Sequence, residues 1–133
     1  MASQQDLDAA LLEASGEGRL DEIRSLLDRN ANIDTVDDYY ATPLHWASRN
    51  GHHQCIELLL DRYANVNAAN INTATSIHWA SSNGHYQCVD LLLDRHANIN
   101  AVDMYDATPL HFASYYGHHQ CVELLLDRHA NIN

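Results

Sequence analysis

"ATPLHWASRNGHHQCIELLLDRYANVN" fills residues 41–67. The stretch returns as "ATSIHWASSNGHYQCVDLLLDRHANIN" at 74–100 and as "ATPLHFASYYGHHQCVELLLDRHANIN" at 107–133. The offset is 33 residues each time. A looser copy, "LLEASGEGRLDEIRSLLDRNANID", begins at Leu11. A period of this length marks stacked supersecondary units, each too small to bury its apolar face alone. The whole chain therefore reads as one array: a degenerate N-terminal cap at 1–36, then units at 37–69, 70–102 and 103–133.

Within a unit the pattern gives two helices and an extended connector. Thr42, Thr75 and Thr108 sit where an N-cap accepts a bond from an orphan helix-start N–H. Pro43 and Pro109 follow at the first helical position, where a missing N–H costs nothing. Ser76 replaces that proline, so the helix of its unit is expected to start less firmly. Gly51, Gly84 and Gly117 are placed to end the first helix in a left-handed conformation. The second helix carries Cys55, Ile56, Leu58, Leu59 and Leu60 on a wide apolar face, with Glu57 outside. The connectors "ANVNAANINTA" and "ANINAVDMYDA" are polar and punctuated by Asn and Asp, so they read as projecting turns or hairpins.

These features resemble the ankyrin repeat family. The shared motifs are "TPLH" at 42–45 and 108–111, the Gly-His pairs, the "LLL" runs and "AN(V/I)N" at the unit ends. They recur in register over nearly the whole chain. The resemblance implies a mostly α solenoid of helix-turn-helix units with β-turn fingers. It also implies a non-enzymatic, cofactor-free module that binds another protein or peptide on a concave surface of fingers and first helices. Two departures stand out. The family usually has Gly after the second helix, where this chain has Asn30, Tyr63, His96 and His129. Tyr63 should be strained there by roughly 1 kcal/mol or alter the loop. The finger turn also prefers Gly, and here it holds Tyr40, Thr73 and Asp106, which leaves finger geometry less defined than helix packing.

Composition narrows the partners. The chain of 133 residues has a formal net charge of −11, with seven arginines and no lysine, so no lysine side chain is available for ubiquitin attachment. An acidic chain repels phosphate backbones and anionic bilayers, which argues against nucleic acid and membrane partners. No apolar run is long enough to span a bilayer, and the first residues lack a signal-peptide pattern; the expected compartment is the cytoplasm. Three cysteines, an odd number, argue against a disulfide framework.

"GHHQC" at 51–55 taken alone suggests a metal site, but its recurrence in register points to scaffold. By resemblance His45, His78 and His111 tie units together, and His52, His85 and His118 make packing and loop bonds. His53 and His119 are freer, but Tyr86 interrupts their ladder. His96 and His129 form the one adjacent, equivalent pair and are weak metal candidates; a structural zinc site needs four ligands. Cys55, Cys88 and Cys121 take a position for small aliphatic residues. Ser48, Ser81 and Ser114 lie near histidines, but a catalytic site need not be copied three times.

Function should sit where the copies differ. The fingers vary most: Asp38, Tyr39 and Tyr40 in one, Ile71, Asn72 and Thr73 in the next, Met104, Tyr105 and Asp106 in the last. Ser82 and Asn83 become Tyr115 and Tyr116. Tyr and Trp give large contact area at low entropy cost. The protein-binding candidates are therefore Asp38, Tyr39, Tyr40, Trp46, Arg49, Ile71, Asn72, Trp79, Met104, Tyr105, Phe112, Tyr115 and Tyr116. Trp46, Trp79 and Phe112 serve equally well as inter-unit core, and Arg49 as an ion-pair or stacking contact. The last unit keeps the apolar pattern of internal ones, so either further repeats follow or that end associates with another copy. A third role comes from the resemblance alone: Asn67, Asn100 and Asn133 match the position at which an asparaginyl hydroxylase modifies this family, although the usual neighbouring acid is asparagine here.

Overall fold

The computed structural model describes residues 2–132. Eight α-helices follow in order: α1 Gln4–Glu17, α2 Leu20–Asp28, α3 Pro43–Arg49, α4 His53–Asp61, α5 Ser76–Ser82, α6 Tyr86–Asp94, α7 Pro109–Tyr115 and α8 His119–Asp127. No strand is present among the described residues. Each unit is an antiparallel helix pair. First helices α1, α3, α5 and α7 pack in one layer, and second helices α2, α4, α6 and α8 in another. The core between the layers holds Leu11, Ile23, Leu44, Ile56, Leu59, Ile77, Val89, Leu92 and Leu125, all nearly solvent-free. Ala47, Ala80 and Ala113 repeat within it, small enough to let first helices approach closely.

The helix starts follow from a reciprocal box. The Thr42 hydroxyl accepts from the His45 N–H at 3.2 Å, and His45 Nδ1 accepts from the Thr42 N–H at 3.1 Å. Thr108 and His111 repeat it at 3.2 and 2.9 Å. Thr75 donates its N–H to His78 Nδ1 at 3.1 Å, and α5 reaches the same seven residues as α3 and α7. The ends follow from glycine. Gly18, Gly51, Gly84 and Gly117 have φ between 74° and 76°, as expected for left-handed termination.

Polar contacts then register one unit on the next. Nε2 of His45 donates to the Ala74 carbonyl and that of His78 to the Ala107 carbonyl, both at 2.9 Å. Nε2 of His52, His85 and His118 donates to the carbonyls of Gly16, Arg49 and Ser82, also at 2.9 Å. His45, His78 and the second set thus tie units together, whereas His111 is exposed and bonds only to Thr108 of its own cap. The side-chain oxygens of Asn67 and Asn100 accept from the N–H groups of Asn98 and Asn131 at 2.8 and 2.9 Å. Asn133 lies outside the described residues. An ion-pair ladder runs along the second helices: Arg62 to Asp28, Arg95 to Asp61, and Arg128 to Asp90 and Asp94. These pairs are exposed, so each contributes about 1 kcal/mol or less.

Asn30, Tyr63, His96 and His129 all hold φ between 69° and 74°. The loop keeps its shape without glycine, so Tyr63 carries the strain. The fingers correct an expectation. Tyr40, Thr73 and Asp106 adopt φ of 62°, 64° and 61°, so the absence of glycine does not loosen finger geometry. The reason is a clamp three residues earlier. Oδ1 of Asp37 accepts from the Tyr39 and Ala41 N–H groups at 2.9 and 3.0 Å. Asn70 does the same for Asn72 and Ala74, and Asp103 for Tyr105 and Ala107, each at 2.9 Å.

The last unit is less covered. His111 and Ser114 are exposed, and Leu110 is half-buried, where their equivalents His45, His78, Ser48, Ser81, Leu44 and Ile77 are buried.

Candidate functional site

The clamped turns project fingers that pair edge to edge. The Ile71 N–H donates to the Tyr39 carbonyl and the Met104 N–H to the Asn72 carbonyl, both at 2.9 Å. This backbone row leaves side chains of Asp38, Tyr39, Tyr40, Ile71, Asn72, Met104 and Tyr105 exposed. Five of these, Tyr39, Tyr40, Ile71, Met104 and Tyr105, are large hydrophobic side chains, whose exposure is informative when they cluster on one surface.

Behind the fingers an aromatic row runs along the first helices. Trp46 and Trp79 meet edge to face, with centroids 5.4 Å apart. His45 packs edge-on against Trp79 at 5.1 Å, and His78 against Phe112 at 5.7 Å. All three large rings are half-buried, so they serve as inter-unit core and as surface together. The Trp46 indole N–H donates to Asp37 Oδ2 at 3.0 Å, tying the first finger to α3. Arg49 does not form an ion pair among the described residues. It stacks, with its guanidinium carbon 5.4 Å from the Trp46 centroid and 5.8 Å from that of Trp79.

Two hollows open on this row. One, of 300 Å³, is lined by Asn70, Asn72, Ala74, His78, Trp79, Ser82, Asp103, Tyr105 and Phe112. The other, of 460 Å³, is lined by Arg49, Trp79, Ser82, Asn83 and Tyr116. They share Trp79 and Ser82, so together they make one groove between the last two fingers and the ends of α3, α5 and α7. The groove gathers Arg49, Asn72, Trp79, Tyr105, Phe112 and Tyr116. Asp38 and Tyr39 line a separate hollow of 640 Å³ against α1, with Gln5, Asp8 and Leu12. Tyr115 meets Tyr116 edge-on at 5.0 Å but does not line the groove; it is 82% exposed. Tyr40, Ile71 and Met104 line none of these hollows.

Sequence reasoning missed Asn70, Ser82, Asn83 and Asp103 as groove residues. A signal existed for each: Ser82 and Asn83 stand where the copies differ, and Asn70 and Asp103 belong to a repeating position. Asp37, Asn70 and Asp103 stand 33 residues apart, each four before the alanine that precedes a capping threonine.

The histidines and cysteines supply structure here. Burial holds the pKa of His45 and His78 below the ordinary imidazole range, and both ring nitrogens of each are committed. The hydroxyls of Ser48 and Ser81 are buried without a hydrogen-bond partner, so they form no nucleophile–base pair with these rings. Burial raises the Cys55 thiol and pushes Cys88 and Cys121 up to about 11, which keeps them protonated and unreactive at neutral pH. Among the described residues, no group of three or more His, Cys, Asp or Glu side chains is placed to hold a metal ion. His96 and His129 remain an exposed pair without further ligands grouped beside them. His53 lines a hollow with Tyr86 on the second-helix side and not with His119. No helix among the described residues is long and apolar enough to cross a membrane.

Comparison with known proteins agrees with this architecture. Residues 66–133 match a family model described as ankyrin repeats (3 copies), and residues 7–60 match one described as ankyrin repeats (many copies). A search of curated proteins found no match. Repeats of this kind are in general non-enzymatic modules for protein–protein interaction. The helix pairs, the glycine-ended first helices and the two family matches lead to one conclusion: the chain belongs to the ankyrin repeat family.

Proposed function

We propose that this protein binds a partner protein through the face built by its fingers and first helices. The observation that carries the reading is the groove running through Trp79 and Ser82, walled by exposed Tyr105 and Tyr116. Its lining includes Trp79, Tyr105, Tyr116 and Arg49, of the residue types enriched at hot spots, and its fingers are held by clamped turns that lose little entropy on binding. The surface varies between units while the scaffold beneath it repeats, so specificity resides here rather than in the fold. The test compares the full chain with a variant carrying Tyr39→Ala, Tyr105→Ala, Tyr115→Ala and Tyr116→Ala as baits for soluble proteins. These side chains are exposed, so melting should stay near that of the parent while specific capture disappears. Undiminished capture by the variant overturns the assignment.

A second reading, self-association through the last unit, is favoured by the exposure of Leu126, Ile132 and His111 on that unit. Sedimentation velocity over a hundredfold concentration range tests it; a constant monomer removes it.

A further inference from the structure

Five arginines close ion pairs: Arg19, Arg24, Arg62, Arg95 and Arg128. Arg49 differs. It lies over Trp46 and Trp79 and spends no side-chain hydrogen bond on any described residue. Stacking fixes a guanidinium laterally and leaves its planar fork of N–H donors available. The neighbouring Trp79 indole also has no hydrogen-bond partner among the described residues, whereas that of Trp46 is taken by Asp37. Arg49 and Trp79 both line the 460 Å³ hollow, beside Ser82, Asn83 and Tyr116, and Arg49 brings to it a guanidinium whose donors are unspent.

The surroundings have the opposite sign. The exposed finger residues Asp38 and Asp106 flank this face, and the whole chain carries −11. A partner that is anionic overall would be repelled at long range, and a basic one attracted. The 460 Å³ hollow nonetheless presents a cation without its anion. Resting on the protein-binding reading above, we propose that the partner segment is basic overall and inserts one Asp or Glu carboxylate onto Arg49, seated between Trp79 and Tyr116. The carboxylate takes the bidentate guanidinium fork, and the flanking basic residues face the acidic fingers.

The probe is a phage-displayed library of random dodecapeptides panned on the full chain. Selected peptides should share one Asp or Glu flanked by Lys or Arg. Resynthesis with the acid changed to its amide should weaken binding at least about tenfold, the scale of one charge-assisted pair. Arg49→Met keeps an apolar stem on the tryptophans and should bind acid and amide peptides alike, while Arg49→Lys should retain part of the preference. Circular dichroism melting checks that both variants fold. Peptides indifferent to the amide change, or to Arg49→Met, overturn the carboxylate anchor and leave the protein-binding reading standing. No selection on the parent chain, or selection undiminished by Tyr105→Ala with Tyr116→Ala, overturns both.

Discussion

The imidazole of His85 lies so close over Gly51 that a Cβ there would stand 2.7 Å from its Nδ1. Gly18 stands in the same relation to His52 and Gly84 to His118, at 2.5 and 2.6 Å. The glycine thus answers two demands at once: a positive φ of 76°, and the ring of the following unit, which reaches past it to the Arg49 carbonyl. Gly117 meets only the first, because nothing lies within 4 Å of its Cβ position.

That contrast gives a prediction. Gly117→Ala should cost about 1 kcal/mol, the left-handed backbone penalty alone. Gly51→Ala adds displacement of the His85 ring and should cost about 2–4 kcal/mol. Urea unfolding of both variants measures the difference. Equal losses would show that the ring yields freely.

The buried histidines predict an acid limit. His45 and His78 have pKa values lowered chiefly by burial, so the folded state binds fewer protons than the unfolded chain. Their contribution is complete above the unfolded value of about 6.5 and is lost as pH falls below it toward the depressed folded values. Protonation also converts Nδ1 into a donor facing the Thr42 or Thr75 N–H. Urea midpoints measured from pH 8 to pH 5 should fall below about pH 6.5. Replacing His45 with Gln should lower stability at pH 8 and flatten that fall.

How much of this was legible depended on the length scale of the cause. The repeat, the capping threonines and the terminating glycines are local rules printed three times, and they placed the helix pairs of the three regular units; α1, which starts at Gln4 behind a Ser3 cap, lies outside that pattern. The finger clamp was also printed, as Asp37, Asn70 and Asp103, but the turn itself varies around it and drew attention to the missing glycine instead. For Arg49 the sequence left an ion pair and a stacking contact open, and which rings it would meet was not legible. Its two tryptophans lie 33 residues apart, and only stacking of α3 on α5 brings both to the guanidinium. The division of Tyr115 from Tyr116 is similarly tertiary, since adjacent side chains at a helix end point to different surroundings.

Tyr63 offers a stabilising change. It holds φ at 71° with its side chain 90% exposed, so no packing offsets the backbone cost. The equivalent loop in the first unit uses Asn30 at 69°. Tyr63→Asn should therefore raise stability by about 1 kcal/mol. A loss of stability on thermal or urea unfolding would mean that the ring makes a contact worth more than the strain.

The serines of the first helices give the last test. Ser15, Ser48 and Ser81 are solvent-free, and their hydroxyls have no hydrogen-bond partner. A buried hydroxyl left unpaired costs about 1–3 kcal/mol relative to one in water or bonded. Ala removes that cost, is a better helix former and leaves only a small void. Ser48→Ala and Ser81→Ala should each stabilise the chain by about 1 kcal/mol, net of the lost packing. Ser114 is the internal control. It occupies the same helix position in an exposed setting, so Ser114→Ala should change stability by less than about 0.5 kcal/mol. If Ser48→Ala and Ser81→Ala destabilise instead, the hydroxyls are bonded in solution, and a carbonyl of the preceding turn is the acceptor to examine by amide exchange.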